Sequence, residues 1–460
     1  MGYDTDRMDL AGVVTSNKSA SYLARLFFCT SAFVFATFIL GPYRYHVYSW
    51  IGLAYYLEVN LLFMIGLASS GWHLLPNRRK LKNGGVVEKT LVEELRLSQF
   101  AKKTLVVGLT VSIVCCLLYC FELISIVGFE SIIQAGDYRS RFSEVRSPFS
   151  KFCEIGMFIG PAAFLVASQA GFLRSRLVQI MSFLGLMLPG LVTLVLGARW
   201  RIFLLLLIYL FYLVLKKRDS CLGFRACEKP RSMLKASRAG VLRFGTTIKL
   251  VLVFVGFGLV AWVFFQLFKN RGLLSAQDMY LFFPGDMELR PLYEHLLTMS
   301  SGALAPLYKA ANYIAQSPAV FSELFDAHLP ENAYFGAYTF RIAGYLLPFV
   351  PSLDRIFQDA FSGFYSGFVY GFIVDWGVLA TPILAFCVGH IASKIEQCRI
   401  ENAYCRIVYP LVCAMVACAP VYYFFQVGSA DFILFWLMIY FGLVRNWKTG
   451  SSGLRNSCDR

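Results

Sequence analysis

The chain has 460 residues, of which 57% are hydrophobic and 15% charged, with a mean hydropathy of +0.59. No ordinary soluble domain is that apolar; repeated unbroken runs of ~20 residues match helices crossing a hydrocarbon core, not the weak alternation of barrel strands. The net charge of +15 invites a nucleic-acid partner, and the placement of the charges argues against one.

Residues 1–20 are polar, mixed in charge and without a secretory signal pattern. Hydropathy then predicts an all-α polytopic integral membrane protein with about ten spans (range ten to twelve), near 22–40, 47–70, 104–127, 152–173, 177–196, 201–215, 249–268, 366–391, 407–425 and 431–444. The span at 201–215 is short, so either its end arginine snorkels or its helix runs past Leu215. The expected organisation is 1–268 with seven spans, a large outer loop at 269–365, three spans over 366–444, and a cytoplasmic tail at 445–460.

With the N-terminus inside, 30 of the 43 Lys and Arg residues fall in cytoplasmic segments and 13 in outer ones. This bias follows the positive-inside rule and places both termini in the cytoplasm. The net positive charge is then mainly an orientation signal. Basic stretches such as Lys216–Arg238 suit anionic lipid better than nucleic acid.

The loop at 269–365 is too long for a plain connector. It reads as short helices. "GDMELRPLYEHLL" carries Asp286 as a candidate cap, and "SPAVFSELFDAHL" places Ser317 at the N-cap with Pro318 at the first helical position. The loop is either an amphipathic cap on the outer leaflet or a substrate-binding cap with aromatic stacking surfaces. None of the 13 cysteines falls in it, so a disulfide framework is not expected. Cys221 and Cys227 lack nearby histidines, so no zinc site is expected.

Arg199 and Arg201, in "LGARWRIFLLLL", fall in an outer hairpin, against the charge bias. They either snorkel to lipid phosphate or recognise a phosphate-bearing ligand through the planar guanidinium fork. Arg139, Arg141 and Arg146 in the second outer segment and Arg290, Arg341 and Arg355 in the large loop are further outer arginines. Acid–base candidates are few. Among the outer histidines His46, His295 and His328, His295 neighbours both Glu294 and Arg290. Asp375, Glu122 and Glu154 lie near outer span ends, where an acid is either functional or paired with a nearby arginine. Glu58 and Asp431 are weaker candidates.

No nucleotide-binding or hydrolase motif occurs. The one Asp-x-Asp, Asp4–Asp6, is cytoplasmic, and the first outer loop, "GPYRYH", has no carboxylate, which counts against metal-dependent lipid-sugar transferases.

Three stretches resemble the Wzy-type oligosaccharide repeat-unit polymerases, the O-antigen polymerase family. "LGARWRIFLLLL" is similar to the family's Gly-x-Arg before an apolar span. "YFGAYTFRIAGYLLPF" (Tyr334–Phe349) resembles a recurrent Phe-Gly-x-x-Thr-Phe segment. "GFYSGFVYGFIVDWGVLATPILAFCVGHI" (Gly363–Ile391) resembles an aromatic stretch leading to Asp-Phe-Gly, here Asp375-Trp376-Gly377. Ala198 stands where the family often has Ser or Thr.

The resemblance implies a glycosyltransferase of the bacterial inner membrane, acting at its periplasmic face in lipopolysaccharide or related polysaccharide synthesis. A growing glycan on undecaprenyl diphosphate would pass to the non-reducing end of a new lipid-linked repeat unit, with inversion. Arg199, Arg201, Arg290, Arg341 and Arg146 would bind diphosphate. His295, Glu294 or Asp375 would be the general base, and Tyr334, Tyr338 and Tyr365 would stack on sugars. No metal or other cofactor is implied. A chain-length regulator is a possible partner. An O-antigen ligase, which shares the donor but uses lipid A–core as acceptor, is the close alternative; a lipid-linked oligosaccharide transporter is a more distant one, since no internal repeat is present.

Overall fold

The computed structural model describes residues 21–69, 99–128, 147–169, 176–195, 199–226, 287–300, 304–327, 329, 333–340, 342, 367–399, 402–423 and 429–442. It is mostly helical. Among the described residues, five helical stretches are long and apolar enough to cross a membrane, and shorter apolar helices cover 178–193, 403–418 and 430–442.

The helices, in chain order, are α1 (Tyr22–Leu40), α2 (Trp50–Ala68), α3 (Gln99–Val127), α4 (Pro148–Met157), α5 (Ile159–Gln169), α6 (Arg176–Val195) and α7 (Arg199–Ala226). Then come α8 (Pro291–Met299), α9 (Ala305–Ala315), α10 (Ser317–Ala327), α11 (Gly367–Cys398), α12 (Ala403–Cys418) and α13 (Ala430–Gly442). Each predicted span except 249–268, which lies outside the described residues, overlaps a helix or helix pair, although the helix in the span expected at 407–425 is Ala403–Cys418, followed by a turn. The short span at 201–215 belongs to α7, which continues to Ala226. The span at 152–173 is α4 and α5, broken at Phe158.

Helix ends gather in two tiers. In one tier, the Glu396 carboxylate of α11 accepts from the first-turn amides of Tyr22 (2.8 Å) and Leu23 (3.3 Å) and from the Ser21 hydroxyl. A carboxylate there satisfies orphan amides and complements the helix dipole. Ser69 and His390 (2.6 Å) join α2 to α11 in the same tier. Beside that contact, Gly66 and Gly389 let α2 and α11 approach to backbone contact, as small residues do between membrane helices.

The opposite tier carries what the sequence placed outside. Here the fold departs from a purely helical one. β1 (Tyr43–Tyr45), from the first outer loop, pairs antiparallel with β2 (Met287–Leu289), from the large loop. α8 begins directly after β2 with Pro291 at its first position, so the expected helix over Gly285–Leu297 is a strand followed by a helix, and Asp286 lies outside the described residues. Ser317, expected as the N-cap of α10, is instead its first helical residue, and its hydroxyl donates to the Val421 carbonyl (3.0 Å). α9 packs on α1 and α10 on α2, where Gly52 leaves room for Phe325.

Candidate functional site

Two buried polar clusters occupy this second tier. The first is built by α4 and α7. Ser147 caps α4 by accepting from the Ser150 amide (3.2 Å), and the Glu122 carboxylate of α3 holds that cap through the Ser147 amide (2.9 Å) and hydroxyl (2.7 Å). α4 thereby presents Glu154 inward, buried, where it forms an ion pair with the equally buried Arg201 of α7. The Arg201 guanidinium also lies over the Phe158 ring, 5.8 Å from its centre. Arg199 is the first residue of α7, at the positive end of the helix dipole. Gly190 of α6 packs against Ile202, bringing α6 close to the start of α7.

The second cluster joins two segments far apart in sequence. α11 is broken at Gly377 (φ 76, ψ 169). Its first part, 367–375, is wholly buried. The turn at 335–339 docks on the end of that part: Tyr334 and Phe335 amides donate to the Val374 (3.1 Å) and Asp375 (2.7 Å) carbonyls. The Asp375 side chain, fully buried, accepts from the Tyr338 and Thr339 amides (2.8 Å each) and from the Thr339 hydroxyl. With that hydroxyl's one proton committed to the carboxylate, Tyr423 donates its own hydroxyl proton to Thr339. A buried carboxylate with this many donors is held in place as an acceptor. The turn it grips is strained: Phe335 has φ 49, a left-handed backbone that costs a side-chain-bearing residue about 1–2 kcal/mol, and Gly336 follows at φ 89.

The two clusters are connected. Phe158, under Arg201, packs on Phe432 (5.7 Å between ring centres). The neighbouring Asp431 accepts from the Ile342 amide (3.3 Å), just past the strained turn, and Trp436 donates to the Ile155 carbonyl beside Glu154 (2.9 Å). The starts of α7 and α13, the end of α4, the 334–340 turn and Ile342 thus meet at one end of the described bundle.

The other predicted residues fall elsewhere. The Arg290 guanidinium donates to the Ile39 and Tyr43 carbonyls, and Tyr293 donates to Leu40 (2.8 Å), so these side chains close the C-terminal end of α1. His295 and Glu294 lie exposed on α8, none of whose residues is buried. Among the described residues, no hydrogen bond or ion pair joins them to Arg201. Tyr338 is buried and stacked on Tyr423, 6.2 Å between ring centres with planes 8° apart, and Tyr334 is half-buried. Arg341, Arg146 and Tyr365 lie outside the described residues. No cluster of potential metal ligands occurs among the described residues.

Sequence reading raised Glu154 as an acid that is either functional or paired with a nearby arginine, and did not choose the arginine; the structure pairs it with Arg201. It passed over Phe335, Phe340 and Thr339 individually, although the Phe-Gly-x-x-Thr-Phe stretch contained all three. Compared with known proteins, the chain matches no family model, and no curated protein and no solved structure is significantly similar to it.

Proposed function

We propose that the chain is a polytopic inner-membrane glycosyltransferase of the Wzy type. It polymerises undecaprenyl-diphosphate-linked oligosaccharide units at the periplasmic face, the face formed by the tier that carries the β-ribbon and α8–α10. The observation that carries this reading is the meeting of three separate stretches. The turn at 335–340 docks on Asp375-Trp376-Gly377, and Asp431 and Phe432 link that unit to the start of α7, where Arg199 and Arg201 lie. These are the same three stretches that resemble the polymerase family.

Each part then has a role. Arg199, at a helix N-terminus, binds the diphosphate and stabilises charge developing on the leaving oxygen. Arg201 is held by Glu154 and supports that end of α7. Asp375 acts as a positioning residue, because release of its carboxylate to act as a base would free the turn it holds. His295 and Glu294 are the remaining base candidates, both exposed on α8; His295, preferred because an imidazole titrates near neutral pH, would take the acceptor hydroxyl proton as that oxygen attacks the anomeric carbon. The donor carbon–oxygen bond to the lipid diphosphate breaks as the new glycosidic bond forms, so a single displacement inverts the centre.

The test is the glycan made by a host strain lacking this chain. The expected product is a surface glycan capped at one repeat unit. Long lipid-linked chains that never reach the lipid A–core would instead identify a ligase and overturn the polymerase reading.

A further inference from the structure

We propose that Phe335, Phe340 and Trp376 form a sugar-ring subsite, in which their exposed aromatic surfaces stack on the pyranose rings of the glycan. This rests on the glycosyl-transfer reading above.

The three rings converge on one residue. A side chain at Gly336 would meet Trp376 Cζ2 at 3.4 Å and Phe340 Cδ2 at 3.5 Å. Phe335 meets Trp376 edge to face, 6.3 Å between centres and 88° between planes. Phe335, Phe340 and Trp376 are 78%, 48% and 37% exposed. Tyr338, from the same turn, points the other way and is buried on Tyr423. The turn thus divides its aromatics: Tyr338 anchors it, and Phe335 and Phe340 keep exposed surface beside Trp376.

Exposed apolar rings on a membrane protein ordinarily meet lipid. The backbone here argues for another occupant. Leu379 and Ile383 of α11, 92% and 67% exposed, are aliphatic and project from regular helix. The aromatic group begins only at the helix break. Its outermost ring is carried by a non-glycine residue with positive φ, fixed from behind by Asp375, Thr339 and Tyr423. A residue that merely faces lipid can do so from an ordinary helix. A strained, over-determined turn is the pattern of a site whose geometry is set in advance. Rigid aromatic faces lose little conformational freedom on binding and match the apolar faces of sugar rings.

The probe is the delipidated single-repeat oligosaccharide released from the host's own lipid-linked pool, titrated into the detergent-solubilised full chain. Phe335→Ala should weaken its binding at least tenfold. Phe335→Tyr, which keeps the ring, should stay within about twofold, as should Phe33→Ala, which removes an exposed ring from α1. The emission lost in Trp376→Phe should respond to the oligosaccharide and not to brominated acyl chains. Unchanged binding by Phe335→Ala, or quenching of that emission by the acyl chains alone, overturns the subsite. If Phe335→Ala binds as wild type while the host still makes long chains, only the subsite fails. If the wild type neither binds the oligosaccharide nor lengthens chains, the glycosyl-transfer reading fails with it.

Discussion

Arg201 enters α7 as its third residue and meets the Glu154 carboxylate inside the bundle, with Phe158 beneath it. Two charges taken out of water are tolerable together and costly apart, so removing one partner of such a pair typically costs about 3–5 kcal/mol. Glu154→Gln and Arg201→Ala should therefore both lower the amount of folded protein in the membrane, and the double change to neutral residues should cost less than the sum. Equal protein levels for all three variants would mean that the pair contributes nothing to folding. The composition and charge bias already marked this hairpin as unusual. They could not separate the two arginines, because pairing is a three-dimensional property and Glu154 is 47 residues away. Asp375 shows the same limit: sequence marks an acid near a span end as costly, but only the docked turn explains what holds it there.

At the scale of elements, the outer loops are tied down by local chemistry. Arg290 and Tyr293 cover the last carbonyls of α1, the β-ribbon joins the first outer loop to the large one, and Tyr45 donates to the Asn312 side chain (2.7 Å). Burial pushes the Tyr45 hydroxyl well above its usual value, with Tyr43 adding to the effect, and burial pushes Tyr308 up as well. A tyrosine raised in the folded state contributes stability that is complete below the unfolded value, about 10, and is lost as pH climbs above it. The ribbon and α9 should accordingly resist proteolysis up to about pH 10 and become cleavable beyond it. Tyr45→Phe, which leaves Asn312 without this donor, should be cleaved faster already at neutral pH. Identical cleavage of both proteins at every pH would detach Tyr45 from this role. Helices were readable from apolar runs of ~20 residues, whose length the hydrocarbon thickness dictates. The ribbon was not, because three-residue strands have no periodicity to detect and pair with a partner more than two hundred residues away.

At the scale of the whole molecule, and among the described residues, the Glu154–Arg201 pair and the Asp375 cluster lie at the tier that carries the β-ribbon. The other tier is closed by Glu396 on the start of α1 and by Ser69 on His390. α7 starts with Arg199 at the tier of the β-ribbon, where the Glu154–Arg201 pair is linked through Phe432 and Asp431 to the turn that Asp375 holds. Arg199 is the residue through which a lipid diphosphate would be held. The decisive measurement is the length of surface glycan made by a host carrying Arg199→Ala, read beside the amount of the variant in the membrane. Chains should collapse toward a single repeat while the protein level stays normal, in contrast to Arg201→Ala, and Arg199→Lys should also be impaired because an ammonium cannot reproduce the bidentate fork. Chains of undiminished length from Arg199→Ala at normal protein level would contradict the assignment.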